Sequence, residues 1–100
     1  MPAVSRVGDA STGHDGFPPT DMISSPISKT KINGKKPGVK DSSCQFATHN
    51  KGNTTHPANT RYPNQGSKKT KIEGYYLARI GDTLADGDVI SAGSDNTFIE

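Results

Sequence analysis

Between residues 44 and 56 the chain reads Cys-Gln-Phe-Ala-Thr-His-Asn-Lys-Gly-Asn-Thr-Thr-His, which holds its single cysteine and two of its three histidines. The third, His14, stands upstream in Gly-His-Asp-Gly. His14, Cys44, His49 and His56 are therefore the whole stock of thiolate and imidazole ligands. Thiolate and imidazole in a set of four suit tetrahedral zinc, an ion with no geometric preference of its own. Spacing alone leaves two readings open. Cys-x4-His-x6-His is wider than a zinc knuckle, and it equally describes solvated loop histidines beside a small buried thiol.

Other chemistries find less support. A Cys44–His nucleophilic pair needs a scaffolded pocket, and no framework for one is visible. The ten acids are scattered, mostly in turn contexts such as Gly-Asp, so no carboxylate pair is set up for hydrolysis. The glycines form no phosphate-cradling loop leading into a helix. Lysines gather at Lys29, Lys31, Lys35, Lys36 and Lys40 and again at Lys68, Lys69 and Lys71. Such lysines can face nucleic acid or guard strand edges from pairing. A net charge of +2 and only six aromatic residues favour the second reading.

Whatever binds must be positioned by a chain with little core material. One hundred residues suggest one domain, 1–100. Leu, Ile, Val and Phe number 16 among them, and 29% of the chain is hydrophobic. A domain this size with so few apolar residues usually needs a disulfide, a metal or a partner. One cysteine rules out an internal disulfide. The thin core thus tilts the histidine question toward metal, because binding energy at a structural site counts as folding energy. Met1–Arg6 shows no apolar core of a secretory signal, and no apolar run approaches a membrane span.

The elements are expected to be short strands. Eighteen glycines and prolines interrupt every stretch that could hold a helical period. Thr30-Lys31-Ile32-Asn33-Gly34 recurs as Thr70-Lys71-Ile72-Glu73-Gly74 and again as Thr97-Phe98-Ile99-Glu100. Each copy alternates β-favouring with polar residues and the first two run into a turn, which predicts a strand entering a hairpin. Arg6-Val7-Gly8-Asp9 likewise pairs with Arg79-Ile80-Gly81-Asp82. Three copies of one strand in so small a chain predict a pseudo-symmetric all-β structure. Residues 41–66 read as a long irregular loop and 82–88 as a short turn.

Several of these segments resemble PAAR-repeat proteins. Pro2-Ala3-Val4-Ser5-Arg6-Val7-Gly8-Asp9, with Thr12-Gly13-His14 and Phe17-Pro18-Pro19, is similar to the opening of that family. Lys31-Ile32-Asn33-Gly34-Lys35-Lys36-Pro37 is similar to its strand-and-hairpin repeat. Gly74 to Asp82 and Gly87 to Ser94 resemble its later segments, so the likeness runs over essentially the whole chain. No Pro-Ala-Ala-Arg stands intact, and the middle copy, Pro37-Gly38-Val39-Lys40-Asp41, lacks the arginine.

The resemblance implies a small cone of β-hairpins with pseudo-threefold symmetry, long irregular loops and an apical metal site. It implies three histidines and one cysteine as ligands, here His14, Cys44, His49 and His56, holding zinc, or alternatively iron, in a structural site without catalysis. It implies a tip protein that caps and sharpens the trimeric β-helical central spike of a contractile phage tail and helps pierce the target cell envelope. The alternative setting is a type VI secretion spike, with cytoplasmic assembly before export. The expected partner is the spike trimer, one tip per trimer, with no nucleic acid and no small-molecule substrate. Thr30, Ile32, Thr70, Ile72, Thr97 and Ile99 are the candidate spike-facing residues. Outside that family, a small zinc-dependent enzyme or nucleic-acid binder remains as a different class.

Overall fold

The computed structural model covers residues 1–100 and contains no α-helix. Its regular pieces are two antiparallel hairpins and one turn of 3-10 helix. Strands β1 (His49–Lys51) and β2 (Thr54–His56) pair as His49↔His56, Asn50↔Thr55 and Lys51↔Thr54. Strands β3 (Lys71–Ile72) and β4 (Tyr75–Tyr76) pair as Lys71↔Tyr76 and Ile72↔Tyr75. The turn between β3 and β4 is Glu73-Gly74, at φ 52° and 89°. Asn33-Gly34, at φ 55° and 79°, makes the matching turn below the Ile32↔Lys35 bridge. Two successive positive φ values are what a tight hairpin turn requires, which accounts for the Asn-Gly and Glu-Gly dipeptides.

Most of the cohesion comes from single bridges arranged in closed rings. Ser5 N–H donates to Ala78 C=O, Ala78 N–H to Gly38 C=O, and Gly38 N–H to Ser5 C=O, at 3.0, 2.8 and 2.8 Å. The flanking bridges repeat the order: Val4↔Arg79, Val39↔Leu77 and Arg6↔Pro37. Further along each segment a second ring is closed partly by the chain itself, through residues 10–23, 45–64 and 83–91, with three separate bonds linking their ends. Ile23 N–H donates to Gln45 C=O, Asn64 N–H to Thr83 C=O, and Ser91 N–H to Ala10 C=O, at 2.8, 3.1 and 2.9 Å. Every such bond satisfies a backbone group that would otherwise be buried without a partner. The rings therefore do in this chain what continuous ladders do in a longer sheet.

A third set of contacts ties the hairpin ends together. The Asn33 side chain meets Ser94 and Asn96, Glu73 accepts from Ser28, Lys29 and Thr30, and Glu100 pairs with Lys69. The third copy of the repeated strand has no turn of its own. Phe98 bridges Ala3 and Ile99 N–H donates to Pro2 C=O, so the two ends of the chain form the pair.

The core is a single column of ten buried residues threaded through these rings, among them Val4, Val39 and Leu77 at the first ring and Met22, Phe46, Leu84 and Ile90 near the second. Ile32, Ile72 and Ile99, one from each repeated strand, pack against its lower end while remaining half-exposed. Gly38 is glycine because a Cβ there would lie 2.4 Å from the Met22 methyl, which fills the space. The principal extents are 38 × 23 × 23 Å. No helix is long and apolar enough to cross a membrane.

Candidate metal centre

Beyond the second ring the chain makes three excursions, roughly over residues 10–23, 45–64 and 83–91. Their ends converge, and each delivers titratable side chains to one point. The first brings His14, held in a tight loop by the reciprocal His14–Phe17 main-chain bonds. The second brings His49 and His56, which face each other as a cross-strand pair in the β1–β2 hairpin. Residues 41–66, read from sequence as irregular, thus contain a hairpin whose pairing fixes both imidazoles. The third brings Asp86, in a turn closed by Gly87 N–H to Leu84 C=O.

Single donor atoms of His14, His49, His56 and Asp86 all lie within 4.8 Å of one another. His49 Nε2 is 3.0 Å from His56 Nδ1, and the two nitrogens are 3.2 and 3.3 Å from Asp86 Oδ2. His49 Nδ1 is 3.0 Å from Pro18 C=O. A carbonyl only accepts, so Nδ1 carries the proton and the neutral ring turns its Nε2 lone pair toward the cluster. That is the usual way a ligating imidazole is oriented from behind. Both ring nitrogens of His14 are sealed from solvent without any hydrogen-bond partner. A buried polar atom without a partner costs about 1–3 kcal/mol, and a cation at the centre of the four donors would give one of the two nitrogens a partner. The residues fit a metal ion.

Behind the donors sits a buried ion-pair network that sequence inspection had no means of finding. Arg61 is fully buried. Its Nε donates to Asp86 Oδ2 at 2.8 Å and its Nη2 to Asp88 Oδ2 at 2.7 Å and Ser11 Oγ at 3.2 Å. Nη1 donates to Thr20 Oγ1 and Ala47 C=O. Asp88, also buried, is held below the usual carboxylate range. Burial pushes its pKa up, but this is outweighed by hydrogen bonding from Ser11, the Val89 N–H and Thr12 and by the Arg61 charge. One guanidinium against two carboxylates leaves a net negative site, the sign a metal dication requires. Phe17 closes the remaining space, its ring centroid 5.3, 4.6 and 4.0 Å from those of His14, His49 and His56.

Cys44, the fourth ligand expected from the resemblance, is not in this group. It is fully buried in the core, with Sγ 3.6 Å from Met22 Sδ and 3.5 Å from the Val39 N–H that donates to it. Burial pushes its thiol up to about 11, against ionisation and hence against metal binding. The repeats explain its place. Arg6 N–H donates to Asp9 Oδ2 and Arg79 N–H to Asp82 Oδ2, at 2.9 and 2.7 Å. The middle copy has Val39 instead of arginine, and there Cys44 Sγ takes the position of the accepting carboxylate.

Of the expected spike-facing residues, Thr70 C=O accepts from Leu77 N–H and Thr97 C=O from Val4 N–H. Pro37 has no N–H to offer Thr30. Asp86 was legible only as part of a turn. Its signal was that, of three like excursions, the one without histidine offers only carboxylates. Comparison with protein-family models yields no match, and comparison with curated proteins yields none either.

Proposed function

We propose that the chain is a metal-stabilised tip that caps a trimeric β-helical spike in a contractile phage tail baseplate. The observation that carries this reading is the closed hydrogen-bond ring Ser5/Gly38/Ala78, followed further along the same segments by three like bonds that Ala10, Gln45 and Thr83 accept. One chain with three like segments around one axis can meet three identical chains of a trimer, each through a similar contact. A β-helix ends in unpaired backbone groups that invite continuation. The segments Thr30–Ile32, Thr70–Ile72 and Thr97–Ile99, with their half-exposed isoleucines, supply three comparable patches to cover that end. In this reading the body is a cone, with these segments at its base and the clustered histidines at its apex.

The metal in this reading is structural. The core cluster does not include the apical residues, and there His14, His49, His56 and Asp86 stand in for apolar packing. Three imidazoles and a carboxylate suit zinc, and ferrous iron after it. The test is co-expression with trimeric β-helical spike fragments, followed by native mass spectrometry. A complex of one chain per trimer is expected. Failure to bind any such fragment overturns the reading.

A further inference from the structure

The charges of this protein are sorted along its length. Eight of the nine lysines, all except Lys51, lie on the segments that form or adjoin the base hairpins, and all eight are exposed. The acids nearest them, Glu73, Glu100, Asp41 and the exposed Asp95, are half as many. Glu73 accepts from the Ser28, Lys29 and Thr30 N–H groups and from Ser28 Oγ, at 3.0–3.2 Å. Glu100 pairs with Lys69 at 2.7 Å, and Asp41 accepts from Ser43 N–H. The arginines contribute no free charge: Arg6, Arg61 and Arg79 are each paired with aspartate. Asp15, Asp21, Asp86 and Asp88 belong to the other half.

The surface hollows follow the same division. A hollow of about 470 Å³ is lined by Lys31, Lys35 and Lys36 over the apolar Val7 and Ile23. Two adjoining hollows, about 260 and 370 Å³, carry Lys40 and Lys68, and Lys68, Lys69 and Arg79. A fourth, at His56 and Asp86, has no lysine. A lysine lies close to each half-exposed isoleucine: Lys31 and Lys35 at Ile32, Lys71 at Ile72, and Lys69, paired to Glu100, near Ile99. An apolar centre inside a charged rim is the anatomy of a protein interface.

We propose that the surface this base docks onto is acidic: each spike chain presents carboxylates that enter the lysine-lined hollows. This rests on the capping function proposed above and adds the chemistry of the partner. Nucleic acid fits the same base less well. No arginine is free to fork onto phosphate or guanine, and the exposed Tyr76 ring is already covered by Lys71, its Nζ 4.6 Å from the centroid. In the proposed contact the ammonium groups steer encounter and set orientation, while the isoleucines hold the complex.

The test uses the full chain and two versions of one trimeric β-helical spike fragment, with aspartates or with asparagines on the terminal rim. Binding is measured from about 50 to about 500 mM NaCl, with duplex DNA as a parallel probe. The expected result is affinity for the aspartate version that falls at least about tenfold across that range. It should also fall at least about tenfold for the asparagine version and for K31E/K35E/K36E at low salt. A second variant, K68E/K69E, on separate exposed residues, should repeat the loss while both variants keep the wild-type far-ultraviolet spectrum. Equal binding of both versions, insensitive to salt and charge reversal, overturns the acidic partner while leaving the capping function intact. Binding of neither version overturns both, and salt-sensitive DNA binding in that case assigns the lysines to nucleic acid.

Discussion

The carboxylate of Asp86 meets the Arg61 guanidinium on one side and the imidazoles of His49 and His56 on the other. Its charge thus serves the ion pair and would serve a metal ion held by the cluster, whereas Cys44 serves only the main chain of Val39. Purified wild-type protein and Cys44→Ala should each bind about one equivalent of zinc or iron by elemental analysis, and Asp86→Ala and His49→Ala should lose it. Cys44→Ala should instead lower stability by about 1–3 kcal/mol in urea, the cost of a buried N–H without an acceptor. Metal loss on Cys44→Ala would return the thiol to the site. Arg61→Met leaves two buried carboxylates without their counter-ion, which should cost about 3–5 kcal/mol. Adding Asp88→Asn should recover part of that loss, since it removes one of the stranded charges.

Among the elements, the base hairpin at Glu73 has a pH dependence of definite sign. Hydrogen bonds from Ser28 and Lys29 N–H, with further ones from Ser28 Oγ and Thr30 N–H, hold the Glu73 carboxyl well below its ordinary value, at about 2. A group whose folded pKa is depressed contributes stability above its unfolded pKa and loses it as pH falls through the folded one. The docking of β3–β4 onto residues 28–30 should therefore weaken between about pH 4.5 and pH 2. The amide resonances of Ser28, Lys29 and Thr30 should titrate together with a midpoint near the lower value, and Glu73→Gln should abolish that titration. The three strand copies were readable because Thr-x-Ile followed by Asn-Gly or Glu-Gly is a local signal. The β1–β2 hairpin was not, because Asn50 to Thr55 is polar on both faces, and His49 and His56 are its only covered side chains. Its register comes from the two imidazoles meeting over Asp86, a tertiary contact with no periodicity to read.

For the molecule as a whole, cohesion is divided between a column of apolar side chains below and a polar cluster above. Removing the metal should loosen one half and spare the other. In hydrogen exchange with a chelator present, amides of 49–56 and 84–87 should exchange faster, while those of Ser5, Gly38 and Ala78 stay protected. Uniform loss of protection would show instead that the two halves unfold together. At this scale the three histidines, which the sequence groups with Cys44 because they exhaust their residue type, lie together with Asp86 instead of the thiol. The pairing of Arg61 with Asp86 and Asp88 joins residues whose neighbours in sequence reveal nothing of the contact.

The closed rings also govern the order of events in folding. The first joins Ser5 to Gly38 and Ala78, the second cannot close before Ser91 is present, and the last base pair sets Ile99 against Pro2. No ring can be completed from the first half of the chain, and each needs long loops to close before it returns any bonding. While the chain emerges from the ribosome it has little to gain from folding early, unlike a protein built of local helices. Nearly all of it must be synthesised first, and folding dominated by such distant contacts is expected to be slow.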